Sequence, residues 1–229
     1  MKLAIVIPAY NEEKKFPNTI GKFISYAEIL RNKGISTEII VVNDGSTDKT
    51  EEIISRYKNE ITIVSYATNK GKGFALKTGV AKADADWIYI ADADLSTPIE
   101  EIEKFLAKKD DYDCIIGSRA REGSEVNVTF VRKFLGRFGN ALVRIILGLK
   151  FKDTQCGFKL FNSKAKKYFL LCKNNRWGYD FEFLYLLNRN NLKVYELPVT
   201  WNAAGDSKVK PLQYFYTLYE LFKIRFNKY

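Results

Sequence analysis

The stretch Trp87-Ile88-Tyr89-Ile90-Ala91-Asp92-Ala93-Asp94-Leu95-Ser96-Thr97-Pro98-Ile99-Glu100 decides the fold of this 229-residue chain. Its first five residues are apolar and rich in β-formers, the length of one buried strand. Thr97, Pro98 and Glu100 then supply a cap, a proline at the first helical position and a glutamate three residues past the cap, all helix-start signals. Two carboxylates, Asp92 and Asp94, therefore stand on a loop between a strand and a helix. In an open α/β sheet, ligands bind outside the carboxyl ends of strands, where such a loop lies.

Upstream the same grammar repeats. Leu3 to Ile7 reads as a buried strand, Phe16, Ile20, Phe23, Ile24, Ala27 and Leu30 share one helix face, and Ile39 to Val42 reads as a second strand. A helix after Ser46, a strand near Ile61 to Tyr66 and a helix after Gly73 continue the alternation. It predicts an α/β fold with a Rossmann-like, mainly parallel sheet flanked by helices. Asn43-Asp44-Gly45-Ser46 follows its strand as Asp92 follows Ala91, so the two acidic loops are expected to face one crevice. Beyond Gly117 the texture turns glycine-punctuated, basic and aromatic. The expectation is a single domain, 1–229, divided functionally near residue 118, with 119–229 meeting a second substrate.

Composition narrows the chemistry. Lys and Arg total 37 against 27 Asp and Glu, a net charge of +10 that attracts phosphates, nucleic acid or an anionic membrane surface. The chain has no histidine, which excludes Ser-His and Cys-His nucleophile pairs and every His-liganded metal site. Cys114, Cys156 and Cys172 lack CxxC spacing and predict neither a disulfide framework nor a zinc site; a reducing, cytosolic setting is expected. Cys156 is assigned to packing. No run approaches the roughly 18 apolar residues of a membrane span, so membrane contact is expected to be peripheral.

Asp92 and Asp94, one residue apart on extended backbone, aim to the same side. Two hard oxygen donors suit Mg²⁺ or Mn²⁺ shared with substrate phosphates. Asn69-Lys70-Gly71-Lys72-Gly73 approaches a helix with free N–H groups, so Lys72 either meets phosphate oxygens or is an ordinary solvated cation. Arg119, with Arg132 or Arg137, offers guanidinium forks that match phosphate. Lys133 and Arg144 read as a solvated helix face. Two basic, aromatic stretches, Phe130 to Phe151 and Pro211 to Tyr229, suit either the membrane interface or packing on the core or a partner subunit.

Pro8-Ala9-Tyr10-Asn11-Glu12, Asn43-Asp44-Gly45-Ser46-Thr47-Asp48 and Asp92-Ala93-Asp94, in this order, resemble the three loops of the nucleotide-binding half of family 2 inverting glycosyltransferases of the GT-A fold. Gly117-Ser118-Arg119, Asp153-Thr154-Gln155-Cys156-Gly157-Phe158-Lys159-Leu160-Phe161 and Arg176-Trp177-Gly178-Tyr179-Asp180 are similar to the polyprenyl-phosphate branch, most of all to its dolichyl-phosphate β-glucosyltransferases. Trp201 to Lys208 also resembles that branch, with Asp206 intervening between Gly205 and Ser207. The resemblance makes 1–118 a nucleotide-sugar-binding half and 119–229 an acceptor-binding, membrane-facing half.

By the same resemblance Pro8, Ala9, Tyr10, Glu12 and Asp44 line the nucleoside and Asp92, Ala93 and Lys208 belong to the donor site, to which the glycine-rich approach to the helix adds Lys72 as a secondary residue. Asp92 and Asp94 bind the metal, with Ser96 standing where related mannosyltransferases place a glutamine ligand. Arg119 and Arg132 or Arg137 grip an acceptor phosphate, and Asp94, Arg119 and Asp180 are the catalytic candidates. Asp180 matches an aspartate that serves as base when the acceptor is a sugar hydroxyl. A phosphate monoester, with its second pKa near ~6, is mostly dianionic at neutral pH and needs no base.

The expectation is therefore inverting transfer of a hexose, glucose from UDP-glucose, to a polyprenyl phosphate such as dolichyl phosphate, giving a β-linked product. Its partners are a nucleotide sugar, a polyprenyl phosphate and the cytoplasmic face of a membrane, with a membrane protein or second copy as further candidates; this reading expects no nucleic-acid partner. Three alternatives stay open: a GDP-mannose-dependent relative, a same-fold transferase to a saccharide hydroxyl, and a noncatalytic basic nucleic-acid module, which predicts strongly salt-dependent binding.

Overall fold

A computed structural model describes residues 1–127, 130–202 and 212–229, without the side chains of 126–138 and 212–218. The first half alternates β1 (Lys2–Ala9), α1 (Phe16–Asn32), β2 (Ser36–Asp44), α2 (Thr50–Ser55), β3 (Thr62–Tyr66), α3 (Lys72–Lys82) and β4 (Trp87–Ile90). There follow α4 (Ile102–Leu106), β5 (Cys114–Ser118), β6 (Glu125–Asn127), α5 (Phe130–Leu147), β7 (Lys159–Asn162) and α6 (Ser163–Leu171). α7 (Tyr179–Arg189), β8 (Val194–Pro198), β9 (Thr200–Asn202) and α8 (Leu212–Phe226) complete the order.

Seven strands form one sheet in the order β3-β2-β1-β4-β7-β5-β8, while β6 and β9 pair separately. β1 pairs parallel with β2 and β4, and β2 with β3, so their exit loops share one edge. β7 runs antiparallel to both β4 and β5, with Ile90 opposite Lys159. That reversal brings the entry of β7, rather than its exit, to the edge where the β4 loop emerges. Strands from both sides of residue 118 share this sheet, so the core is not divided there.

Alternation along β1 splits the core into two layers. Leu3, Ile5 and Ile7 pack with Phe16, Ile20 and Phe23 of α1, whereas Ala4 and Val6 pack with Ala75, Leu76 and Val80 of α3. A central parallel strand covered on both faces reads as a continuous apolar run for this reason. The helix expected to start at Thr97–Pro98 begins later. Pro98 stays extended at ψ 143°, a 3₁₀ turn covers Ile99–Glu101, and the Thr97 hydroxyl is buried without a hydrogen-bond partner among the described residues, so it caps nothing.

The two amphipathic segments divide their faces. α5 packs on α8, and Val143, Leu147, Leu221 and Ile224 enter the core, while Ile145, Tyr219, Phe222 and Phe226 are exposed. Among the described residues no helix is long and apolar enough to cross a membrane.

Candidate active site

The first two loops are stitched together at the carboxyl edge of the sheet. Asn11 N–H donates to Ser46 Oγ and Thr47 N–H to Asn11 Oδ1, while Glu12 N–H donates to Thr50 Oγ1 and Glu13 N–H to Asp48 Oδ2. At the end of β1, Pro8 is half-buried, Ala9 buried and Tyr10 exposed. Asp44 is another matter. The residue is 2% exposed, and its carboxylate accepts from Tyr66 Oη, Asn69 Nδ2 and the N–H groups of Lys70 and Gly71. Four donors fill the acceptor positions of a carboxylate, so in this structure Asp44 holds the 69–71 loop. Burial and this carboxylate together push the Tyr66 hydroxyl well above its ordinary value.

The acidic loop is held from three directions. Thr19 Oγ1 of α1 donates to the Ala93 carbonyl at 2.7 Å, Asn202 N–H donates to the Ser96 carbonyl at 2.7 Å, and Leu95 N–H closes a turn onto Asp92 O. Leu95 adopts φ +49°, a left-handed conformation that a branched residue takes only when its surroundings impose it. Both carboxylates are partly open, with side-chain exposures of 27% for Asp92 and 23% for Asp94. Each faces a cation of the chain itself: Lys72 Nζ lies 2.5 Å from Asp92 Oδ1, and Lys15 Nζ 3.5 Å from Asp94 Oδ2.

That donor set fits a divalent ion. The two aspartates offer hard oxygens where cations already collect, and no cluster of three ligating acidic or cysteine side chains occurs among the described residues. The remaining positions would come from water and substrate phosphates, the habit of Mg²⁺. Ser96 N–H and Oγ both donate to Asp94 Oδ1, at 3.0 and 2.8 Å, so Ser96 orients that carboxylate here.

Lys72 opens α3 from Gly71, whose φ of +102° is a glycine conformation. A Cβ at Gly71 would stand 2.5 Å from Asn175 O, and Phe74 N–H donates to that same carbonyl. The 69–73 loop is thereby pressed against 174–176. Although burial opposes its charge, the carboxylates of Asp92, Asp180 and Asp94 hold the Lys72 ammonium above the ordinary lysine value. Its Nζ also lies 5.8 Å from the Trp177 ring. On the other side sits Gly157, where a Cβ would come within 2.9 Å of Asp92 Oδ2 and 3.2 Å of Lys72 Nζ. The entry of β7 thus touches the acidic loop because β7 is reversed.

Two further ion pairs complete the site. Arg119 Nε and Nη2 form a fork on Asp153 at 2.8 and 3.1 Å, and Arg119 N–H adds a third bond. Burial opposes both charges, yet the pairing raises Arg119 and lowers Asp153 from their ordinary values. Glu196 fixes Asp153 in turn by accepting the N–H groups of Lys152 and Asp153. Asp180 is 4% exposed at the start of α7 and receives Lys159 Nζ, which also donates to the Cys156 carbonyl. The Cys156 thiol is buried and pushed up to about 12 by desolvation, in keeping with packing.

Among the residues expected from sequence, Asp92, Asp94, Ser96 and Lys72 converge, and Asp180 and Arg119 belong to the same charged set. The side chains of Arg132 and Arg137, and all of Lys208, lie outside the described residues. Lys159, Asp153 and Lys15 were assigned no role. Lys159 carried a readable signal, since an ammonium inside Phe158-Lys159-Leu160-Phe161 demands a buried anion. Lys15 carried none, because its approach depends on where α1 begins.

This architecture is the GT-A fold. Glucosyl-3-phosphoglycerate synthase from Mycobacterium tuberculosis, in complex with Mn²⁺, UDP-glucose and phosphoglyceric acid, aligns with a TM-score of 0.74 at 20% identity, covering 98% of this chain and 79% of that one. S. aureus TarS 1-349 aligns with a TM-score of 0.60 at 16% identity, covering 99% of this chain and 72% of that one. The chain belongs to glycosyl transferase family 2, whose model matches residues 4–169. It is similar to a dolichyl-phosphate beta-glucosyltransferase of Trichomonas vaginalis, 38% identical over 219 residues, covering 90% of this chain and 65% of that protein's length. The human dolichyl-phosphate beta-glucosyltransferase is 31% identical over 227 residues, covering 92% of this chain and 70% of the relative.

Proposed function

We propose that the chain transfers glucose from UDP-glucose to a polyprenyl phosphate of the dolichyl type, with inversion, forming a β-linked lipid phosphosugar. The named relatives support the acceptor class and the sugar. The observation that carries the reading is the Lys159–Asp180 pair. Asp180 stands where a hydroxyl acceptor would need a base, but its carboxylate is buried against an ammonium. With no histidine in the chain to replace it, the acceptor must bring its own nucleophile, and a phosphate dianion does.

An acceptor phosphate oxygen bonds to the anomeric carbon as the bond from that carbon to the β-phosphate oxygen breaks, and UDP departs. Pro8, Ala9, Tyr10 and Glu12 line the nucleoside, with Asp44 shaping their wall from behind. Asp92 and Asp94 would hold Mg²⁺ or Mn²⁺, which supplies charge neutralisation of the leaving diphosphate. Arg119, positioned by Asp153, faces the acceptor phosphate; Arg132 or Arg137 assists it, and Lys208 reaches the donor. Asp180 orients the acceptor site. The reaction takes place at the cytoplasmic face of a membrane, which the exposed side of α5 and α8 meets.

UDP release with and without dolichyl phosphate tests the reading. Release stimulated by the lipid, lost on chelation and largely retained in Asp180→Asn is expected. No lipid stimulation with any of a panel of nucleotide sugars would remove the acceptor assignment, and near-total loss in an Asp180→Asn variant that thermal melting shows to be folded would favour a hydroxyl acceptor.

A further inference from the structure

We infer that Lys72 is a resident cation that occupies Asp92 until a nucleoside diphosphate arrives, so that metal and nucleotide bind as a unit. The inference rests on the donor-site reading above. Lys72 Nζ is 2.5 Å from Asp92 Oδ1, with only 19% of its side chain exposed. Among the described residues it is the cation paired with the carboxylate that a divalent ion requires.

The space around that carboxylate is confined. Gly157 approaches so near that even a methyl group there would stand 2.9 Å from Asp92 Oδ2 and 3.2 Å from Lys72 Nζ. Behind Lys72 the backbone is pinned by Gly71 and Gly73, each pressed on the carbonyls of 174–176. The ring of the exposed Trp177 lies 5.8 Å from the ammonium. A divalent ion and an ammonium on one partly buried carboxylate repel each other, and the repulsion is strong where little solvent screens it.

A bare metal ion therefore has to break the Lys72–Asp92 pair, and it gains few ligands in return. A nucleoside diphosphate changes both conditions. Its oxygens complete the metal's coordination and offer Lys72 a new anion, so Asp92 exchanges one cation for another with no charge left unpaired. The glycine-rich approach to α3 then supplies a switching lysine in addition to backbone N–H groups.

Mn²⁺ titration, read from the electron paramagnetic resonance signal of the free ion, tests this without any measure of turnover. Wild type, Lys72→Met and Lys72→Arg are each titrated with and without UDP, after thermal melts show that the variants fold; Lys72→Gln replaces a Met variant that does not. Without UDP, Lys72→Met should bind Mn²⁺ about tenfold more tightly than wild type, within the usual range of coupling between sites, and Lys72→Arg should resemble wild type. UDP should tighten Mn²⁺ strongly in wild type and much less in Lys72→Met. Equal or weaker bare-metal affinity in Lys72→Met, with UDP still tightening Mn²⁺ in wild type, overturns the inference alone. If UDP tightens Mn²⁺ in no protein, the donor-site reading falls and the inference falls with it.

Discussion

At Asp92 and Asp153 the same residue type is put to opposite uses. Asp92 is 27% exposed and bonded through one oxygen, so it keeps capacity for a ligand, whereas Asp153 is 7% exposed and committed to Arg119 and to Gln155 N–H. Asp92→Asn should weaken Mn²⁺-dependent UDP binding by at least about tenfold, ~1.4 kcal/mol, with a melting temperature near wild type, checked by titration and thermal unfolding. Asp153→Asn should destabilise the fold instead. Removing one member of a buried pair costs ~3–5 kcal/mol, and the partial exposure of Arg119 reduces this to about 1–2 kcal/mol. Because the Asp153 carboxyl lies below its ordinary value, its stabilisation is present above the unfolded value and is lost as pH falls through the folded one. Urea melts of wild type and variant should thus converge in acid, below about pH 4. That Asp92, Asp94, Arg119 and Asp180 are candidates could be argued from the sequence; that Arg119 and Asp180 are each held by a buried opposite charge could not, because neither partner is a chain neighbour.

Among the elements, the loop 173–178 is the piece that the strand and helix grammar leaves undescribed, yet it forms a wall of the site. Glu182 of α7, fully buried, anchors it by accepting Lys173 N–H, Asn174 N–H and Tyr229 Oη. Gly71→Ala would force a side chain onto φ +102° and into Asn175 O, costing about 2 kcal/mol or more, read as a lowered melting temperature. α8 touches the same loop through Glu220, whose Oε2 lies 2.7 Å from the Cβ position of Gly178. Burial, then the charge of Glu182, pushes Glu220 up to about 7. The folded state therefore binds a proton that the unfolded state has already released, and stability falls as pH rises from the ordinary carboxylate range through 7. Glu220→Gln should melt higher than wild type at pH 8 and lose that advantage at pH 5. The alternation of strands and helices in the first half was readable from periodicity, but the antiparallel β7 was not, since Lys159–Asn162 has no feature that distinguishes the direction of a short apolar strand.

For the molecule as a whole, a net charge of +10 and the exposed Tyr219, Phe222 and Phe226 of α8 combine into a basic, apolar face beside Lys223, Arg225 and Lys228. The proposed membrane contact makes a definite prediction. Binding to vesicles containing anionic lipid should weaken with salt, each cation contributing about 1 kcal/mol, and Phe222→Glu with Phe226→Glu should reduce it about tenfold or more. Flotation with the vesicles would measure both; insensitivity to the double substitution would move the contact to another face. The sequence left lipid and core as alternatives for this helix, and the structure shows why both patterns were present: Leu221 and Ile224 turn inward while their neighbours do not.

Local sequence alone determined the α/β alternation, the acidic loop after β4 and the dearth of bases, because strand periodicity, turn chemistry and residue identity act over a few positions. Tertiary structure decided which charges meet. Reversing β7 placed Gly157 against Asp92 and Lys159 near the start of α7, and packing 69–73 on 174–176 delivered Lys72 to the carboxylate. Contacts of that kind depend on how distant strands pair, and the energy that selects them comes from burial of the whole sheet rather than from any segment of it.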